Sequence, residues 1–68
     1  MSVLKVVEIL GNSEESWEDA AQQVVDEVSK TVKNIKSVYI QDMQATVTDN
    51  RISEYRVNTK VCFEVLED

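Results

Sequence analysis

The sequence has no proline and no histidine, one glycine, one cysteine, and as aromatics only one tryptophan, two tyrosines and one phenylalanine. Each scarcity removes a class of structure or chemistry. Without proline, nothing forces a break in a strand ladder or a helix. Without histidine the chain lacks the usual general acid–base group and the commonest zinc ligand. The lone Cys62 cannot form a bridge within the chain, has no histidine to activate it, and reads as an ordinary small strand residue. The lone Gly11 leaves no glycine-rich loop to cradle a phosphate. With no paired-carboxylate spacing either, the sequence carries no catalytic constellation and is read as a non-enzyme.

Basic residues are also few, 7 against 13 acidic ones, for a net charge of −6. Nucleic acid binding needs a concentrated basic surface, and the lysines here are scattered. Small cations or basic molecules are easier partners. No apolar run approaches membrane-spanning length, and Met1 to Leu10 has neither the charged start nor the apolar centre of a signal peptide, so a cytoplasmic location with no membrane partner is expected.

At 68 residues, the sequence is read as one domain over residues 1–68. A chain this size buries only about 60% of its unfolded surface. Its 43% hydrophobic content argues for a folded core, and with no disulfide or metal to secure it, oligomerisation is the expected source of extra stability.

The one stretch with a clear helical period is Ser16 to Ile35. Trp17, Ala20, Ala21, Val24, Val25, Val28, Val32 and Ile35 recur at spacings of three and four, with polar residues opposite. Ser16 is a good N-cap, with Asn12 or Ser13 available if the helix starts earlier, and acids at its start suit the helix dipole. Its valines are poor helix formers, so the stripe must be held by a sheet, and Val28 is expected to be buried against it.

Val3 to Leu10 reads as a first strand closed by Gly11. Lys36 to Val47 reads as a second, with Val38 and Ile40 on one face and Tyr39, Met43, Ala45 and Val47 mostly on the other. Its parity slips near Gln41 and Asp42, as at a β-bulge. Thr48 to Arg51 is a hairpin turn, since Asp49 and Asn50 tolerate left-handed backbone. Ile52 to Val65 alternates most cleanly. Tyr55, Val57, Thr59, Val61, Phe63 and Val65 form the face toward the helix, and Glu54, Arg56, Asn58, Lys60, Cys62 and Glu64 a polar one.

The expected fold is α+β, in the order β-α-β-β, with a three-stranded antiparallel sheet wrapped on one helix. One helix covers one face, and the exposed edges and the other face call for a closed symmetric assembly.

Lys5-Val6-Val7-Glu8-Ile9-Leu10-Gly11, then Asn12-Ser13 and Ser16-Trp17-Glu18-Asp19-Ala20-Ala21, resembles the opening of a dodecin. Asn34-Ile35-Lys36, Tyr55-Arg56-Val57 and Lys60-Val61-Cys62-Phe63 continue the likeness nearly end to end. The resemblance implies a hollow homododecamer with helices outside and sheets inside, used for storage or scavenging of a small ligand. In flavin-binding dodecins a tryptophan opens the second strand and a glutamine follows the tyrosine of the third. Here those positions are Ser37 and Arg56, so flavin (FMN or riboflavin) is a poor expected ligand: serine offers no stacking face, and arginine donates hydrogen bonds but cannot accept them. Ile40-Gln41-Asp42-Met43 resembles the tryptophan-lacking, calcium-type subgroup. Calcium or another divalent cation is then the expected cofactor, with Asp42 and Glu64 as its candidate contacts at openings between chains.

Arg56 itself, in the middle of an enclosed sheet face, needs an anionic partner. A carboxylate such as Glu54 or Glu64 of a neighbouring chain and an anionic ligand are both open possibilities. Trp17, on the apolar stripe, is expected in the core or a subunit interface.

Overall fold

The computed structural model describes residues 3–65. They form β1 (Val3–Ser13), α1 (Trp17–Val28), β2 (Ile35–Thr48) and β3 (Arg51–Val65), in that order. The strands make one antiparallel sheet ordered β1-β3-β2. This is the β-α-β-β arrangement that the sequence implies. With a partner on each side, β3 has its two faces most sharply distinguished, which is why its alternation is the cleanest. Val57, Thr59 and Val61 are fully buried under the helix. The buried Thr59 hydroxyl donates to the Ile9 carbonyl at 2.7 Å, so its polarity is satisfied. Val24, Val28 and Val61 form the core, with Val7, Ile9, Val32, Ile35 and Val38 packed around them. The β2–β3 hairpin turns on Asp49 (φ 54°) and Asn50 (φ 64°), the paired left-handed residues of a two-residue hairpin loop.

Two boundaries differ most from the sequence reading. The helix ends at Val28 rather than Ile35. Ser29 caps it, Lys30 and Thr31 donate to the carbonyls of Glu27 and Val28, and Asn34 takes a left-handed φ of 62°. Serine, threonine and asparagine compete with the helix through local hydrogen bonds, and none of the valines before them favours its continuation. Val32 and Ile35 still reach the core, but from a turn and a strand start, so their helical spacing is coincidental.

Gly11 does not close β1, which continues to Ser13. The glycine is needed for close approach. A Cβ there would lie 2.6 Å from the Ala20 carbonyl oxygen, 2.6 Å from Val24 Cγ2 and 3.2 Å from Val57 Cγ2. The helix therefore sits directly on β1 and β3 and touches β2 least.

The bulge expected near Gln41 is present as a register shift between Ile40 and Asp42, with further shifts between Ile35 and Ser37 and between Thr46 and Val47. Its consequence was not read from parity alone. Met43 pairs with Val57 on the helix side, whereas Tyr39 pairs with Lys60 on the opposite side, so Tyr39 and Met43 do not share a face.

Ser16 is the N-cap, accepting from the Asp19 amide at 2.9 Å. The buried Ser13 hydroxyl accepts from the Glu15 amide and donates to Asp19 Oδ2 at 2.7 Å, and Gln23 Nε2 donates to the same oxygen at 2.6 Å. The Ser13 bond, and then that from Gln23, hold the Asp19 carboxyl below its ordinary value of 3.8. Since the folded value is the lower one, Asp19 stabilises the fold above the ordinary carboxylate range, and that contribution disappears as the pH falls through the folded value. Asp19→Asn should flatten the acid limb of a stability–pH curve below about pH 4. Acid midpoints identical in mutant and wild type would exclude this role.

Candidate functional site

The sheet face away from the helix is where the sequence places every candidate residue. Cross-strand pairing orders it into rows: Val6–Cys62–Ser37, Glu8–Lys60–Tyr39, Leu10–Asn58–Asp42 and Asn12–Arg56–Gln44. It is less polar than the β3 alternation implies. β1 contributes Leu4, Val6 and Leu10, all exposed, with Leu10 at 71%. The near-continuous apolar run of β1 reads as a strand apolar on both sides, and it is.

Ser37 lies opposite Cys62 and exposed, with no ring beside it in its row. Among the described residues, the only aromatic on this face is Tyr39, one row along and 63% exposed. The sequence reading separates Tyr39 from Val38 and Ile40, as the pairing does, but groups it with Met43, Ala45 and Val47, from which the shift at the bulge divides it.

Arg56 meets no carboxylate among the described residues. Its Nε donates to Asn12 Oδ1 at 3.2 Å, while Gln44 flanks it on β2. The sequence offers Asn12 only as an alternative helix cap, and the signal for its place beside Arg56 is the antiparallel register, which sets residue 12 against residue 56 once β1 and β3 are neighbours. Trp17, half-buried at the helix start, donates from its indole nitrogen to the Gln44 carbonyl at 3.0 Å and packs edge-on against Tyr55 with ring centroids 4.9 Å apart. It holds the far edge of β2 and takes no place on the candidate face.

Asp42 sits opposite Asn58, whose buried Oδ1 has no hydrogen-bond partner among the described residues. Glu64 lies opposite Leu4, with the Lys36 ammonium 3.8 Å away. The contact is long and its lysine is exposed, so the pair contributes little to stability although Glu64 is partly buried.

The rows also fix which residues can act together. Ser37 is level with Cys62 and Arg56 lies six residues down β3, a separation of roughly 20 Å along a strand. Asp42, level with Asn58, is equally far from Glu64. Neither pair converges on one small ligand within a chain. No group of three or more cysteine, aspartate or glutamate side chains is placed to hold a metal among the described residues. A site using either pair must draw on more than one copy. No helix among these residues is long and apolar enough to cross a membrane.

Comparison with known proteins agrees with this architecture. The calcium dodecin of Mycobacterium tuberculosis is 32% identical over 65 residues, covering 96% of this chain and 92% of that protein. The dodecin of Thermus thermophilus is 31% identical over 65 residues, covering 96% and 94%. Among solved structures, a mutant of the Thermus thermophilus dodecin matches with a TM-score of 0.93 at 30% identity, over 98% of this chain and 100% of that one. The Mycobacterium tuberculosis calcium dodecin matches with a TM-score of 0.83 at 30% identity, over 98% and 96%. The family model described as Dodecin matches residues 3–66, and the chain belongs to the dodecin family.

Proposed function

We propose that this chain is a non-enzymatic subunit of a hollow twelve-chain shell whose sheets face inward and which stores or buffers a small ligand, a divalent cation such as calcium in preference to a flavin. The observation that carries the preference is the bare row around Ser37. A flavin ring at that position would meet serine and cysteine side chains, and a stacked aromatic pair worth about 0.5–1.5 kcal/mol beyond burial is lost. The likeness to a calcium dodecin over nearly the whole chain supports the cation. In this reading Asp42 and Glu64 of different copies supply the hard oxygen ligands, and the unpartnered Asn58 Oδ1 beside Asp42 is a further acceptor. Arg56 is the position where an edge-reading glutamine is replaced by a residue that can only donate. The free Cys62 suits a reducing compartment, in keeping with the cytoplasm.

Purified protein tests this in one preparation. Elemental analysis should find calcium or another divalent cation in stoichiometric amount, reduced in Asp42→Asn and Glu64→Gln, and the solution should be colourless. Riboflavin or flavin mononucleotide should bind weakly or not at all. The double change Ser37→Trp with Arg56→Gln should restore flavin binding, seen as fluorescence quenching on titration, and each single change only part of it. Restored stacking and edge recognition should together contribute ~2–4 kcal/mol, on the magnitudes of aromatic contacts and hydrogen bonds. That is roughly thirty- to a thousandfold in affinity. A yellow wild type that binds flavin tightly would overturn the preference and point to Tyr39 as the stacking ring. Absence of both metal and flavin would leave a purely structural assembly.

A further inference from the structure

Two neighbouring rows on the sheet face away from the helix each hold a polar group left short of partners. In the row Leu10–Asn58–Asp42, the Asn58 Oδ1 is buried and accepts no hydrogen bond among the described residues, and Asp42 lies opposite it on β2. In the row Asn12–Arg56–Gln44, the Arg56 Nε donates to Asn12 Oδ1 at 3.2 Å. That bond uses one of the guanidinium's several donors, and Arg56 makes no ion pair among the described residues. Glu54, the carboxylate two residues before it on β3, instead lines a cleft with Glu14, Glu15 and Asp19. With its oxygen occupied, Asn12 has its amide N–H groups left to donate, and Gln44 adds an exposed amide on the other side of Arg56. Oxygen acceptors and nitrogen donors thus stand side by side, two strand residues or about 7 Å apart.

We infer that a small oxyanion, a carboxylate or a tetrahedral sulfate or phosphate, bridges these two rows, held by the Arg56 guanidinium on one side and supplying an oxygen to a divalent cation at Asp42 and Asn58 on the other. The inference rests on the cation reading above and adds the anion to it. Asp42 and the Asn58 amide are too few oxygens for a cation such as calcium, which takes about six to eight. Arg56 adds to the difficulty, because a guanidinium is always charged and repels a divalent cation one row away. An anion between the two turns that repulsion into two attractions. The gap suits a small one, since contacts of about 2.4 Å to the cation and about 2.8 Å to the guanidinium leave room for a single compact group. A halide, with one centre, cannot reach both sides.

Calcium titration of full-length protein in chloride, acetate and sulfate at equal ionic strength tests this. Affinity for free calcium should rise about 5–150-fold from chloride to the oxyanion, and by reciprocity calcium should tighten binding of that anion by the same factor. A larger rise with acetate identifies a carboxylate as the natural bridge, and a larger rise with sulfate a tetrahedral anion. Arg56→Gln, at an exposed position, should keep the wild-type circular dichroism, bind calcium more tightly than wild type in chloride, and be indifferent to the oxyanion. Arg56→Lys keeps the charge without the planar fork and should recover only part of the rise. Equal calcium affinity of the wild type in all three salts overturns the bridge and leaves the cation reading standing. A lower sedimenting mass of Arg56→Gln would then assign the guanidinium to a carboxylate of a neighbouring copy. Sulfate binding unchanged by calcium and by Asp42→Asn also overturns the bridge, placing the anion on Arg56 alone. No calcium binding in any of the salts refutes the cation reading and the bridge with it.

Discussion

Gly11→Ala should lower the melting temperature by about 5–20 °C at fixed protein concentration, although it adds only one methyl group. The Cβ it introduces would stand 2.6 Å from the Ala20 carbonyl oxygen, and that oxygen is part of the helix backbone. Val24 Cγ2, also at 2.6 Å, could turn aside, but the carbonyl can retreat only if α1 rises off the sheet. Rising there loosens Val24 and Val28 from Val61, the centre of the core. Overpacking of this kind typically costs about 1–3 kcal/mol. Alanine recovers about 0.4–1 kcal/mol by restricting the unfolded chain, and because the clash is with backbone a net loss of about 1–2.5 kcal/mol remains. Against a total stability of roughly 3–10 kcal/mol for a chain this long, the loss is a large share. At about 4–8 °C per kcal/mol it gives the predicted shift, and Gly11→Val should not fold at all. Because assembly stabilises the folded chain, the comparison holds only at one concentration. A melting temperature within a degree or two of wild type would mean that the helix is not seated on β1 as described.

The same residue shows where the sequence is legible and where it is not. Local patterns came through where a single face decides the outcome. The alternation in β3 is visible because its odd-numbered positions lie under the helix, and the slip at Gln41 because two apolar parities cannot both face one helix. What failed was whatever depends on the distance between elements. Gly11 reads equally as a turn or as a point of contact, and only the position of Ala20 distinguishes them. Val32 and Ile35 fall at helical spacing by coincidence, since both reach the same core from backbone that has left the helix. The candidate site was legible as a set of residues on one face, but not as a set that converges. Ser37 and Arg56, like Asp42 and Glu64, are six strand residues apart, and no pattern within one chain encodes where a second copy brings them together.

Val28→Asp should leave the chain unfolded and unassembled at neutral pH. Val28 is 7% exposed and lies in the last turn of α1 against Val24 and Val61, with Val32 and Ile35 closing over it from the segment that follows. Removing the valine forfeits about 1.5–3 kcal/mol of apolar burial. An aspartate in its place has no basic partner among these neighbours, all of which are aliphatic. Kept ionised, it costs several kcal/mol. If it takes up a proton instead, it is still a buried polar group costing about 1–3 kcal/mol. The sum is at least about 2.5–6 kcal/mol, and more if the carboxylate stays ionised, a loss comparable to the whole stability expected of a 68-residue chain. Val28→Ala separates the two contributions. It loses methyl groups without adding a charge, and should remain folded with a stability lowered by roughly 1–3 kcal/mol. Far-UV circular dichroism and sedimentation should therefore rank wild type, Val28→Ala and Val28→Asp in that order, with the last showing neither native ellipticity nor a discrete oligomer. Soluble Val28→Asp of wild-type mass and spectrum would mean that this face of the helix is not the one the sheet buries.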